Sequence, residues 1–88
     1  MPTKFATDRP FADPEKAARQ LLELANAAEA VQEGRIHIEL INLPFLRVGG
    51  SANEYRAGLE RALAKGWLIR HESGVFVKFT QAGADLFA

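Results

Sequence analysis

Residues 51–80, SANEYRAGLERALAKGWLIRHESGVFVKFT, decide the fold of this chain. Ser51, followed three residues later by Glu54, is the capping-box pattern of a helix N-terminus. The pattern predicts a helix that ends at Lys65 and Gly66, where a basic residue in the last turn precedes a glycine. The apolar residues expected to face the core are Ala52, Tyr55, Leu59, Ala62 and Leu63.

The second half of this stretch predicts a β-hairpin. Two segments rich in β-branched and aromatic residues flank the turn dipeptide Ser73-Gly74. If the loop has two residues, alternation gives the hairpin two side-chain faces. One face carries Leu68, Arg70, Glu72, Val75, Val77 and Phe79, and the other carries Ile69, His71, Phe76 and Lys78. Thr80 is expected to cap a short final helix over residues 81–87, which Gly83 weakens.

The N-terminal third predicts a leader followed by one long helix. Residues 1–12 contain two prolines and no periodicity, so we expect an extended or partly disordered arm. One or both of its phenylalanines, Phe5 and Phe11, should pack on the edge of the domain. A helix should start at Asp13-Pro14. It should continue along an apolar stripe to a glycine cap at Gly34.

Residues 35–46 change period. Apolar and polar residues alternate from Arg35 to Leu40, which predicts a short strand, although Ile38, Ile41 and Phe45 also fit helical spacing. The alternatives of helix and strand both remain open for this segment. Residues 40–46 are expected to form a short helix or helical turn with a break or kink near Pro44.

This order of elements resembles the winged helix-turn-helix fold, an α+β architecture of three helices, a short strand, a C-terminal hairpin wing and a short final helix. Residues 63–69, LAKGWLI, resemble the end of the third helix where it leads into the wing. Residues 79–83, FTQAG, resemble the strand end that follows the wing. The resemblance covers residues 13–88. The chain also resembles a group of small bacterial proteins without an assigned activity.

The resemblance implies DNA binding, with the third helix in the major groove and the wing on the backbone or the minor groove. On the helix, Asn53 and Arg61 are candidates for base edges, and Arg56 and Lys65 for phosphates. The further candidates for contact with double-stranded DNA are Arg47, Ser51, Arg70 and Lys78.

Charge limits what kind of nucleic-acid binder this chain can be. Eleven Lys and Arg balance eleven Asp and Glu among 88 residues, which excludes a broadly polybasic protein. Residues 1–34 carry four positive and six negative side chains, whereas residues 35–88 carry seven positive and five negative. Any DNA binding must therefore come from a few placed cations and should be weak and salt-sensitive.

A second hypothesis is a winged-helix module for protein interaction or dimerisation, without nucleic acid. It is favoured by the zero net charge and by the small outward residues Ala57 and Ala64 on the third helix. The spare apolar side chains that a homodimer or a protein partner could cover are Leu22, Ile69, Phe76 and Phe87.

The sequence predicts no enzyme, no metal site and no cofactor. It has no cysteine, and His37 with Glu39 is a strand-face pair without a third ligand. The turn Gly49-Gly50-Ser51 lacks the lysine of a phosphate-binding loop. With no apolar run long enough to span a bilayer and no secretory signal pattern, we expect a cytoplasmic protein without membrane contact.

Overall fold

The computed structural model describes residues 9–28 and 34–87, which form an α+β fold. The described elements are four α-helices and a three-stranded antiparallel sheet. In chain order they are α1 (Pro14–Ala27), β1 (Ile36–His37), α2 (Glu39–Arg47), α3 (Ala52–Ala64), β2 (Leu68–Arg70), β3 (Phe76–Phe79) and α4 (Gln81–Asp85). A 3-10 turn, Pro10–Ala12, precedes α1.

Helix α1 begins as predicted but is shorter. The Asp13 carboxylate accepts a hydrogen bond from the backbone N–H of Glu15 at 2.9 Å, and Pro14 occupies the first turn. The helix ends at Ala27 because Ala28 is extended, so the predicted end at Gly34 was wrong. Leu22, expected to be spare, is fully buried in the core. The buried face of α1 is therefore wider than the predicted apolar stripe.

Helices α1 and α3 pack closely through small side chains. Ala17, Ala18 and Ala62 are fully buried, and Gly58 of α3 lies against α1. A Cβ atom on Gly58 would lie 2.8 Å from the Cβ of Ala17, closer than such atoms approach. Gly58, which costs helix propensity, is thus explained by the short distance between the two helices.

The structure shows a short strand followed by a helix in residues 35–46, where the sequence left helix and strand open. The strand β1 has only two residues, and Glu39, expected in that strand, is the first residue of α2. Ile41 and Phe45 are both buried, so burial at helical spacing outweighs the alternating pattern. The predicted break is not found, because α2 continues through Pro44 to Arg47. Proline leaves the Leu40 carbonyl without its helical partner, but Leu40 is half exposed and water can reach that end of the helix.

The sheet confirms the predicted faces for the residues that pair, but the loop is longer than two residues, because β2 ends at Arg70 and β3 begins at Phe76. The strand order is β1-β3-β2, and β2 pairs with β3 in the register Leu68↔Phe79 and Arg70↔Val77. The N–H of Gly74 donates to the carbonyl of His71 at 2.8 Å, and Gly74 has a φ of +85°. That left-handed conformation explains the glycine in the turn.

Aromatic rings join the N-terminal turn to the core. The ring centroids of Phe11 and Phe45 are 5.1 Å apart, and those of Phe45 and Tyr55 are 5.6 Å apart. The expectation for Phe11 is therefore confirmed, whereas Phe5 lies outside the described residues. The Tyr55 hydroxyl donates to the carbonyl of Ile38 at 3.1 Å, which ties α3 to the start of α2.

Helix α4 fastens the base of the hairpin. The Thr80 hydroxyl oxygen accepts a hydrogen bond from the N–H of Gly83 at 3.0 Å, and the hydroxyl donates to the carbonyl of Gly66. The sequence predicted an end at residue 87, but the helix ends at Asp85. Gly83 is buried, and a Cβ atom there would overlap the carbonyl oxygen of Trp67. The glycine that weakens the helix in the sequence is required by this close approach.

The contact at Gly83 gives a prediction opposite in sign to helix propensity. Propensity alone makes Gly83→Ala stabilising by up to about 1 kcal/mol. The overlap with the Trp67 carbonyl instead predicts a loss of about 1–3 kcal/mol in the free energy of unfolding. Chemical denaturation measures the change. Ala82→Gly in the same helix is the control for propensity, and a Gly83→Ala protein as stable as the wild type would contradict the overlap.

Candidate nucleic-acid interface

The N-terminus of α3 is held by the predicted capping box. The Ser51 hydroxyl oxygen accepts a hydrogen bond from the N–H of Glu54 at 3.1 Å, and the N–H of Ser51 donates to a Glu54 carboxylate oxygen at 2.9 Å. Ser51, a candidate for DNA contact, therefore already serves the helix cap. Asn53, in the first turn, is exposed.

A long-range ion pair at this helix end was not foreseen from the sequence. The guanidinium of Arg9 donates to both carboxylate oxygens of Glu54, at 2.7 and 2.8 Å, and to the carbonyl of Gly49 at 3.1 Å. The hydrogen bond from Arg9 is the main cause that lowers the pKa of Glu54 to about 2. Glu54 is thus an ionised but compensated charge. The two residues lie 45 positions apart, and no local pattern connects residues at that separation.

Cations from α3 and from the hairpin meet in one cleft. Arg56 of α3 and Arg70 of β2 both line a cleft of about 310 Å³ between α2, α3 and the sheet. Its other lining residues are Asn42, Ala52, Tyr55 and Leu59. None of these described lining residues is acidic. Ala52, expected to face the core, is exposed at the mouth of this cleft.

Tyr55 forms the floor of the cleft rather than a reactive group. Burial raises the pKa of Tyr55 to about 12, and its hydroxyl already donates to the carbonyl of Ile38. Tyr55 is therefore neutral at physiological pH. Its role is structural, because its hydroxyl ties α3 to the start of α2.

Arg61 and Lys65, the other two candidate cations of α3, face α1 instead. The Nε atom of Arg61 lies 3.0 Å from a Glu15 carboxylate oxygen, and Lys65 Nζ lies 4.0 Å from the same atom. Arg19 approaches the second oxygen at 3.5 Å. The hydrogen bond from Arg61 is the main cause that lowers the pKa of Glu15. Arg56 and Arg61 lie about 140° apart around the helix, so they point to different flanks of α3.

Trp67 adds to this second cationic group. The guanidinium carbon of Arg19 lies 5.2 Å from the Trp67 ring, and Lys65 Nζ lies 5.4 Å from it. These are cation–π distances. This second group links α1, α3 and the start of the hairpin through Glu15, Arg19, Arg61, Lys65 and Trp67. Its three cations all approach the carboxylate of Glu15.

Lys78 lies on the opposite face of the sheet from Arg70. It pairs with Ile69, and it lines a separate cleft with Asn26 and Gly34 near the end of α1. The structure therefore divides the two wing candidates, as the alternation of the hairpin requires. Arg47, the last residue of α2, is exposed.

The outer face of the sheet holds an aromatic group that the sequence did not single out. The rings of His37 and His71 meet the Phe76 ring edge-on, with centroids 5.0 and 5.9 Å away, and the Arg35 guanidinium carbon lies 5.0 Å from that ring. The Nδ1 atom of His71 accepts from the N–H of Ser73 at 3.1 Å, so it is engaged in the turn. Alternation in the hairpin places His71 and Phe76 on one face, whereas only the pairing of β1 with β3 places His37 beside them.

No metal-binding group is formed by the described residues, in which no three His, Asp or Glu side chains come together. His37 and Glu39 do not share a strand face, because Glu39 belongs to α2. Within residues 9–28 and 34–87, no helix combines the length and the apolar character needed to cross a bilayer.

The ion pair between Arg9 and Glu54 makes the stability depend on pH in acid. A carboxylate whose pKa is lowered by folding stabilises the protein above the unfolded value near 4.3, and this contribution is lost as the pH falls towards about 2. Arg9→Ala should raise the pKa of Glu54 towards its ordinary range and flatten the acid decline of stability. NMR titration of the Glu54 carboxyl and urea unfolding between pH 2 and pH 5 measure both effects. Lys78→Ala, on the outer face of the sheet, is the matched control, and an unchanged Glu54 pKa in Arg9→Ala would refute the assignment.

Comparisons with protein-family models, with curated proteins and with solved structures gave no match for this chain. Its function is therefore inferred from the fold and from the charged side chains described above.

Proposed function

We propose that this chain is a winged-helix domain that binds double-stranded DNA through α3 and the hairpin, in the manner of a small transcription regulator. Arg56 and Arg70 are the principal phosphate contacts in this proposal. Asn53, in the first turn of α3, is the next contact. The candidates Arg61 and Lys65 make a smaller contribution because Glu15 competes for them.

The order of the elements supports the fold part of the proposal. A short strand separates α1 from α2, a turn separates α2 from the capped α3, and the hairpin follows α3 directly. This is the order on which the resemblance to winged-helix proteins rests. Because a fold alone does not give a function, the case for DNA binding depends on the charged side chains.

The observation that carries the function is the convergence of Arg56 and Arg70. These two cations come from different elements, 14 positions apart, and line a single cleft without an acidic neighbour among its described lining residues. A phosphate group at the cleft could be contacted from the helix and from the wing together. Because arginine can donate two parallel hydrogen bonds to a phosphate, a pair of arginines is well suited to this contact.

The N-terminus of α3 is compatible with a nearby phosphate. Glu54 would repel an anion there, but Arg9 forms an ion pair with both of its carboxylate oxygens. The partial positive charge at a helix N-terminus also favours an anion. Asn53 is exposed beside this end and has both a donor and an acceptor for a base edge.

A second candidate function is protein binding by α3 without nucleic acid. One exposed face of α3 carries Asn53, Ala57, Glu60 and Ala64, and it holds an acid but no base. Such a face suits close contact with another protein better than contact with phosphates. The DNA titration below separates the two functions, because only the first predicts salt-dependent binding.

The DNA proposal predicts weak binding that depends strongly on salt. Fluorescence anisotropy with a labelled mixed-sequence duplex should give a dissociation constant on the order of 10 µM in about 20 mM salt. The logarithm of the binding constant should fall against the logarithm of salt with a slope of about −2 to −4, as expected for a few phosphate contacts. The double variant Arg56→Gln/Arg70→Gln should weaken binding at least about tenfold and reduce the slope by about 2.

Arg19→Gln is the control for this titration. It also removes an exposed cation, but Arg19 belongs to α1 and lies over the Trp67 ring, away from the cleft of Arg56 and Arg70. Equal loss of binding in the control and in the cleft variants would show a diffuse charge effect and overturn the role of the cleft. Absence of binding in about 20 mM salt at about 100 µM protein would overturn the proposed function itself.

Competition between Glu15 and DNA gives a separate prediction. Glu15→Gln removes the carboxylate that holds Arg61 and Lys65, so both cations can turn towards a duplex. Affinity of Glu15→Gln for the same duplex should be about two- to fivefold higher than that of Glu23→Gln. The difference is small because an exposed ion pair such as the one lost at Glu15 contributes about 1 kcal/mol or less. Glu23 is also exposed on α1, so its variant changes the net charge equally. Equal affinities of the two variants would show that Glu15 does not restrain these cations.

A further inference from the structure

Helix α2 exposes an unusual number of large apolar side chains for a helix of nine residues. Leu40 is 48% exposed, Leu43 56% and Leu46 38%, and Val48, directly after the helix, is 49% exposed. The three leucines recur every third residue, so they form one continuous stripe on the solvent side. A contiguous exposed apolar patch on a protein surface usually marks a site of interaction with another molecule.

The sequence of α2, ELINLPFLR, is arranged symmetrically about Leu43. Leu40 lies three residues before Leu43, and Leu46 lies three residues after it. Glu39 lies four residues before, and Arg47 lies four residues after. Apolar residues thus match apolar residues across the centre, whereas the charges at the two ends have opposite sign.

This symmetry is what a two-fold contact between identical helices requires. In an antiparallel pair centred on Leu43, a residue that precedes the centre faces the residue at the same distance after it in the other copy. Leu43 then meets Leu43 of the partner subunit, and Leu40 meets Leu46 of the partner subunit. Glu39 approaches Arg47 of the partner subunit. Antiparallel helix dipoles favour the same orientation.

The charges at the ends of α2 are available for such a contact. Glu39 and Arg47 are exposed, and neither forms an ion pair with another described residue. The chain has a formal net charge of zero, so two copies do not repel each other. The occupant that matches the stripe in shape, apolar character and charge is therefore a second copy of this chain.

We propose that this protein forms a symmetric homodimer through antiparallel contact of α2 with α2 of the partner subunit. The contact joins six apolar side chains, three from each copy, and two ion pairs. A pair of nine-residue helices buries less than the roughly 1,200 Å² of a standard stable interface, so the dimer should be weak. A dissociation constant on the order of 100 µM is expected.

The proposed dimer leaves the cleft of Arg56 and Arg70 free. Asn42, the residue of α2 that lines this cleft, points about 100° away from Leu43 around the helix. Arg47 would serve the dimer, whereas Arg56 and Arg70 would keep their positions. The proposal therefore stands apart from DNA binding, and its test needs no DNA.

Sedimentation velocity over about 5–500 µM protein tests the dimer directly. The wild type should shift from a monomer of 9.7 kDa towards twice that mass. Leu43→Glu places two like charges at the two-fold centre and should remain monomeric over the whole range. The matched control is Ile69→Glu on β2, where a 54% exposed apolar residue receives the same charge, and it should dimerise like the wild type.

Charge exchange tests the antiparallel arrangement itself. Glu39→Arg and Arg47→Glu each create like-charge contacts across the two-fold axis, so each should weaken dimerisation at least about threefold. The double variant Glu39→Arg/Arg47→Glu restores opposite charges and should recover most of the wild-type association. Far-UV circular dichroism confirms that each variant is folded before it is compared. A monomeric wild type at about 500 µM, an equal loss in Ile69→Glu and Leu43→Glu, or a double exchange that does not recover would each overturn the proposal.

Discussion

The short distance between α1 and α3 is the constraint on which the other features of this fold depend. It exists because alanine and glycine occupy the contact, with Gly58 placed directly against Ala17. A small chain has few large side chains to bury, so it gains packing by bringing backbones close together. The same approach brings Glu15 within reach of Arg61 and Lys65, and it determines which side of α3 remains open to a ligand.

Carboxylates decide which of the cations can act on a ligand. Glu15 holds the cations on one flank of α3, while Arg9 compensates the acid at the start of the helix. Arg56 and Arg70 remain in a cleft whose described lining is neutral apart from themselves. A chain with zero net charge can therefore present a local cationic site, because its charges are sorted by position rather than by number.

Local patterns were the part of this structure that the sequence could predict. The capping box and the faces of the paired hairpin strands depend on residues close in the chain, and the structure confirms both. The loop between the strands is longer than the two residues expected at Ser73-Gly74. The end of α1 was predicted wrongly, because Ala28 leaves the helix well before Gly34. The choice between helix and strand for residues 35–46 stayed open until the structure showed Glu39 at the start of α2. Periodicity could not show that Ile41 and Phe45 would be buried together.

The candidate site was predictable in its residue types but not in its grouping. Arg56 and Arg70 were named from their helix and strand positions, yet their shared cleft depends on how the hairpin turns back towards α3. The ion pairs of Arg9 and of Arg61 join residues more than 40 positions apart, and no spacing rule reaches that far. The sequence shows which side chains are charged, but only the folded structure shows which of them form ion pairs.

Trp67 is the only tryptophan of the chain, and it lies where α1, α3, the hairpin and α4 come together. Its backbone carbonyl receives the N–H of Thr80 at 3.0 Å, and its ring lies beneath the cations of Arg19 and Lys65. The ring is almost completely shielded from water in the folded state. Intrinsic fluorescence from a single site thus reports on the junction of four elements at once, so the protein carries its own spectroscopic probe of folding and needs no attached dye.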